Sequence, residues 1–235
     1  MHKIVNIKNF SKETLGILKK FNDQEGSDGV ACGVTIEIVK NICDDIRPKR
    51  ILEMGGGIGT ISYLMLKNSS ALIDIYEPNK FCRTKLEENL VGYEDRYNII
   101  KDYKILPLHR NYDIIIVDGG AGKGRDEGFP SSIWFYINYL SSVKVVYIDR
   151  IRWVQAMYAR KALRSRYTYK VVKYVKETPK GERHNAGTVI RCQSCKSGLK
   201  RWVNFLFYEI GDYRMKYFIV YRIKRIKKFF KLLIK

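Results

Sequence analysis

The sequence predicts an α/β fold: a doubly wound sheet of seven strands, the last antiparallel, with a basic helical extension at the C-terminus. Three observations predict it. Short apolar runs alternate with segments whose apolar residues recur at helical spacing. A glycine-rich turn, Gly55-Gly56-Gly57-Ile58-Gly59, follows the first such run directly. The last two apolar runs, 169–175 and 186–192, are joined by a polar link around Pro179-Lys180-Gly181, short enough for a hairpin and hence for a reversed final strand.

Taken in order, residues 1–28 are mixed in composition, with a short helix predicted around 14–21. Gly26-Ser27-Asp28-Gly29 is a breaker. Val34, Ile38 and Ile42 recur at i, i+4 and i+8, so 30–46 reads as a helix, ended by Pro48. The first strand is 50–54. A helix at 58–66 opens on the glycines and stops at Asn68-Ser69-Ser70. The second strand is 71–76. Pro78 stands where a helix begins, and 80–90 continues it. Residues 97–100 form a short third strand. The fourth, 112–117, is nearly all apolar, the mark of a strand covered on both faces. A glycine-rich loop at 118–124 leads to a helix at 131–140 and a fifth strand at 143–148, ending at Asp149. A basic helix at 152–166 precedes the closing hairpin. The expected organisation is an N-terminal extension at 1–29, an α/β domain at 30–195 and a C-terminal appendage at 196–235.

A chain of 235 residues is long enough for one such domain with a full core, and 46% hydrophobic residues argue against global disorder. Its net charge of +20 favours an anionic partner, whether nucleic acid, acidic membrane or phosphorylated substrate, over a merely solvated basic surface. The charge is uneven: residues 196–235 hold twelve Lys/Arg against Glu209 and Asp212, half of the excess. Five cysteines at scattered spacings are not a disulfide framework. Cys192 and Cys195 have metal-like spacing but lack two further ligands. Neither a signal peptide nor ~18 uninterrupted apolar residues is visible, so a reducing, cytoplasmic compartment is expected.

The chemistry concentrates at the strand ends. Glu53 precedes the glycines, and Glu77 ends the second strand. Glycines let the backbone turn sharply and approach a ligand, and an acid on the next strand tip accepts hydrogen bonds from ribose hydroxyls. The pairing describes a nucleoside cofactor site; the alternative is a tight strand–helix turn with no ligand. A dinucleotide fingerprint needs glycine where Thr60 stands.

Glu-x-Gly-x-Gly-x-Gly resembles motif I of the class I S-adenosylmethionine (SAM)-dependent methyltransferases. The resemblance covers roughly residues 30–192 and implies a Rossmann-like methyltransferase sheet with SAM as cofactor. It implies roles for Glu53 toward the methionine amino group, for Gly55, Gly56, Gly57 and Gly59 in the turn, and for Glu77 on the ribose. It places Asp102 near the adenine, and Asp118 at the fourth-strand tip beside both cofactor and acceptor. In layout the chain is most similar to the catechol- and caffeoyl-CoA-type O-methyltransferases, which hold a divalent metal with an acid after strand four and an Asp-Asn pair after strand five. Asp118 and Asp149 match, but Arg150 replaces the Asn, and its charge argues against metal dependence. Arg150 either holds an anionic substrate or pairs with Asp149 or Asp118. The resemblance makes Asp118 the candidate base, with Asp149 beside it. Lys123 matches a lysine that subfamily carries shortly after its strand-four acid, at a spacing that differs by a couple of residues.

In the tail, Ile219, Ile223, Ile226, Phe230 and Leu233 follow helical spacing among basic residues. The pattern suits an amphipathic helix on an anionic membrane, a helix packed on its own domain, or an RNA contact. The expected activity is O-methylation of a small-molecule, glycan or lipid-linked acceptor near a membrane through 216–235. The alternatives are an RNA methyltransferase and a non-catalytic SAM-binding scaffold.

Overall fold

The computed structural model describes residues 3–7, 9–27, 30–119, 129–150, 153–177 and 183–211. The chain runs β1 (Lys3–Asn6), α1 (Lys12–Asn22), α2 (Gly33–Ile46), β2 (Arg50–Met54), α3 (Thr60–Asn68), β3 (Leu72–Tyr76), α4 (Lys80–Asn89) and β4 (Tyr97–Ile100). It continues through β5 (Ile114–Val117), α5 (Phe129–Tyr139), β6 (Val145–Asp149), α6 (Trp153–Leu163), β7 (Tyr167–Glu177), β8 (Arg183–Ser194) and α7 (Gly198–Gly211).

One eight-stranded sheet has the order β1-β7-β8-β6-β5-β2-β3-β4. The seven predicted strands, β2 to β8, all form, and β8 is the only reversed one among the described strands, antiparallel to both β6 and β7. The eighth, β1, pairs parallel with β7 at the sheet edge. Its four residues are too few for a period-2 pattern, so only the partner strand reveals it. Residues 12–22 form α1, capped by the Ser11 hydroxyl accepting from the Thr14 N–H. Its Ile17 and Phe21 enter the same core as α2 and α3.

Alternation along each strand splits the core in two. Ile51, Ile73, Ile75, Ile114 and Ile116 pack under α1, α2 and α3. Leu52, Met54, Ile115, Val117, Val146 and Ile148 pack under α5, α6 and α7. The central strands are therefore apolar at nearly every position, because both faces are covered.

The parallel register aligns the strand ends. Met54 lies beside Tyr76 and Val117, and Val117 beside Ile148. The residues that follow, Gly55, Glu77, Asp118 and Asp149, so emerge along one edge. The chain leaves β2 toward β3 and β4 on one side and returns through β5 and β6 on the other. This is the switch point at which open α/β sheets bind ligands.

The first fourteen residues past Lys196-Ser197 form α7, which packs on β7 and α6. Arg160 Nε donates to Glu209 Oε1 at 2.6 Å with both side chains buried, and Asn204 bonds both polar groups of the Tyr169 backbone. Removing one partner of a buried pair strands the other charge. Glu209→Ala is expected to cost about 3–5 kcal/mol in urea unfolding, and the double variant Arg160→Met/Glu209→Leu to recover most of it.

Candidate functional site

A cleft opens at the switch point, lined by Val30 and Ala31, Gly55 to Gly57, Ile58, Thr60, Ile61, Glu77, Asp118 and Gly119. Gly55 has φ +93°, and a Cβ there would lie 2.5 Å from the Gly119 Cα. The turns after β2 and β5 touch backbone to backbone, which only glycine at 55 permits. Gly57, at φ +53°, is different: a Cβ there meets nothing within 4 Å. Its freedom is needed for the turn, and the open space beside it remains for a ligand. Gly56 accepts the Gly59 N–H at 2.9 Å, and Gly59 opens α3 in a left-handed conformation.

Glu77 stands at the cleft wall. It accepts the Gly57 N–H at 2.8 Å on one oxygen and the Asn79 N–H at 2.9 Å on the other. Burial raises its carboxyl above the usual range, and these two donors offset part of that rise.

Glu53 is fully buried in the apolar layer under α3. One oxygen accepts the Ser62 hydroxyl at 2.5 Å; the other, Oε1, is buried without a hydrogen-bond partner. Burial pushes this carboxyl up to about 8, partly countered by Ser62 and reinforced by Glu77. A buried acid with one vacant acceptor, beneath a glycine turn, suits a ligand that brings a cationic donor.

Across the switch point, Asp149 is buried at the end of β6. Its Oδ1 accepts from the Thr35 hydroxyl at 2.5 Å and the Tyr147 hydroxyl at 2.9 Å. Arg150 Nε lies 3.3 Å from Oδ2, an ion pair without hydrogen-bond alignment. Arg150 leaves the strand at φ +53°, a left-handed backbone that non-glycine residues rarely adopt. Gln155, buried on α6, donates to the Gly119 carbonyl at 3.3 Å.

The structure thus brings Gly55, Gly56, Gly57, Glu77 and Asp118 to one cleft, with Glu53 beneath it and Asp149 at the same strand edge. Asp102 is exposed past the end of β4, its carboxylate accepts the N–H of Lys104 at 2.9 Å, and it stands outside the lining of this cleft. The short loop favours closing on itself, as aspartate does in turns. Lys123 and the segment 216–235 lie outside the described residues. Arg150 does pair with Asp149. Thr35, Ser62 and Gln155 were not legible: Thr35 meets Asp149 across 114 residues of sequence, and nothing local marks such a contact. The cysteines remain free thiols, and among the described residues no three His, Cys, Asp or Glu are grouped to hold a metal ion.

The chain matches no protein-family model and no curated protein by sequence. Many solved structures match by shape. An O-methyltransferase of tomaymycin synthesis from Streptomyces achromogenes, solved with SAM, is 15% identical with a TM-score of 0.54, covering 78% of this chain and 88% of its own. The Bacillus cereus O-methyltransferase, solved with S-adenosylhomocysteine, is 12% identical with a TM-score of 0.55, covering 77% and 91%. A Pyrococcus horikoshii protein described as an RNA methyltransferase is 16% identical with a TM-score of 0.54, covering 78% and 98%. The chain has the class I methyltransferase fold. Within that fold, β2, β3 and β4 are the first three methyltransferase strands, β5 and β6 the next two, and β8 the reversed one.

Two expectations follow for this methyltransferase-fold site. Gly57→Ala is expected to cost about 1–2 kcal/mol, the strain of a left-handed alanine, and Gly55→Ala at least roughly twice that because backbone blocks its Cβ; thermal unfolding ranks them. For Glu53, the folded chain keeps a proton that the unfolded chain has released between about pH 4.5 and 8. Stability therefore falls as pH rises through that window and levels off above it. Glu53→Gln is expected to reduce this fall by roughly 3–5 kcal/mol, read from urea midpoints at both ends of the window.

Proposed function

We propose that the chain is a SAM-dependent methyltransferase acting on an oxygen of a small-molecule, glycan or lipid-linked acceptor. The observation that carries this reading is the alignment of acids around one glycine turn: Glu53 beneath it, Glu77 beside it and Asp118 across the switch point. The residues fit the cofactor. Glu77 is placed for ribose hydroxyls, the vacant oxygen of Glu53 for an ammonium group, and the open side of Gly57 for close approach of the ligand. When bound, SAM supplies a sulfonium methyl that carries its own leaving group, so the protein's work is alignment and charge.

In this reading Asp118 takes the acceptor hydroxyl proton. Asp149, locked by Thr35 and Tyr147, orients Arg150. Where the catechol-type enzymes place a divalent ion, Arg150 brings a fixed positive charge toward the oxygen that becomes nucleophilic. Lys123 assists the proton transfer and Asp102 contacts the adenine. The domain acts at a cytoplasmic membrane face, to which the basic segment 216–235 binds.

An RNA acceptor is the second reading, supported by the charge of +20 and by an equal likeness to the Pyrococcus horikoshii protein. Against it, the sequence has no Asn/Asp-Pro-Pro-Tyr motif of base-amino methylation.

Titration calorimetry with SAM is the direct test. Micromolar binding is expected, unaltered by EDTA, and weakened by about 1.5–3 kcal/mol in Glu77→Ala through loss of a charged hydrogen-bond acceptor. Wild-type protein that fails to bind SAM overturns the reading.

A further inference from the structure

Helix α7 is held to the domain by one face. Tyr208 tilts against Tyr169 with ring centroids 5.5 Å apart, and Glu209 pairs with Arg160. The Arg201 guanidinium donates to the carbonyls of Arg164, Cys195 and Lys196, tying down the helix start. These contacts fix which way the helix is turned. Its other face points outward and is apolar: Leu199 is 74% exposed, Trp202 54%, Val203 56% and Phe207 54%. At 3.6 residues per turn these four side chains fall within an arc of about 140°. Scattered exposed apolar residues are ordinary, whereas four large ones on one helix face mark a surface that something covers. Lys196 and Lys200 are exposed beside the stripe. The sequence that follows, 212–235, adds nine Lys/Arg against one acid.

We propose that this face of α7 docks on an anionic lipid bilayer, with Leu199, Trp202, Val203 and Phe207 entering the boundary between headgroups and acyl chains and the neighbouring lysines meeting lipid phosphates. The proposal rests on the methyltransferase reading only for its purpose, which is to bring the site to a membrane-borne acceptor. Three features favour lipid. Leu199 and Val203 offer no π-face, so a nucleic-acid strand has only Trp202 and Phe207 to stack on. A second copy would bring a chain of +20 against a surface already positive. Tryptophan, with an apolar body and one N–H, suits the headgroup layer.

The test uses the full chain with vesicles of phosphatidylcholine, with and without phosphatidylserine. Sedimentation with the serine-containing vesicles is expected, falling at high salt, together with quenching of tryptophan emission by brominated lipid. Leu199→Glu/Val203→Glu is expected to weaken vesicle binding by about tenfold or more, since two charges enter the apolar layer. Trp202→Phe, a gentler change, is expected to remove most of the quenching while keeping vesicle binding. Thermal unfolding and SAM calorimetry are run on every variant, and both are expected to match wild type. Vesicle binding that the glutamates leave intact overturns the proposal, because the segment 212–235 then acts alone or covers the face. So does a wild-type chain that ignores vesicles while binding a single-stranded oligonucleotide, or one that forms a dimer the glutamates dissolve. Vesicle binding without SAM binding leaves the lipid surface standing and removes the methyltransferase reading instead.

Discussion

The site depends on one close approach: the backbone at Gly55 lies against the backbone at Gly119, where the sheet changes direction. A single methyl group at residue 55 would force the two turns apart. With them in contact, the β2 turn runs on into α3 with the Gly57 N–H on Glu77 and the cleft between the glycines and Asp118. The parallel register then delivers Asp149 to the same edge. Sheet geometry and the absence of one side chain set the frame, and the acids decorate it.

Much of the decoration weakens the fold. Glu53 takes a position whose strand neighbours Ile75 and Ile116 are apolar, and one of its oxygens has no partner. Arg150 holds a left-handed backbone beside a buried carboxylate. Tyr147 spends its hydroxyl on Asp149, and burial holds that phenol far above its ordinary range, so it orients rather than ionises. Groups that destabilise their own surroundings and gather along one strand edge beside a cleft are what a binding site requires and what a purely structural turn does not.

The same logic separates the two ends of the chain. Residues 3–22 look unremarkable in composition, yet β1 extends the sheet and Phe21 lies in the main core. Residues 198–211 open a tail, 196–235, that looks foreign because of its charge, yet the Arg160–Glu209 ion pair ties them to the domain. Local composition reports the surface a segment shows to solvent, and it is silent about what the hidden face touches.

The sequence by itself determined the strand and helix order from α2 to β8, because apolar runs buried on both faces and helices apolar on one leave different periods. It determined the glycine turn and the acids Glu53 and Glu77 beside it, since turn and carboxylates are adjacent to strand ends. Only the tertiary structure decided which acids share a cleft: Asp118 and Glu77 do, while Asp102, two residues beyond the β4 tip, bonds within its own loop. Only it supplied Thr35, Ser62 and Gln155, and the outward face of α7. Each of these is a contact, or the lack of one, between segments far apart in the chain, and a pattern local in sequence carries no record of distance in space.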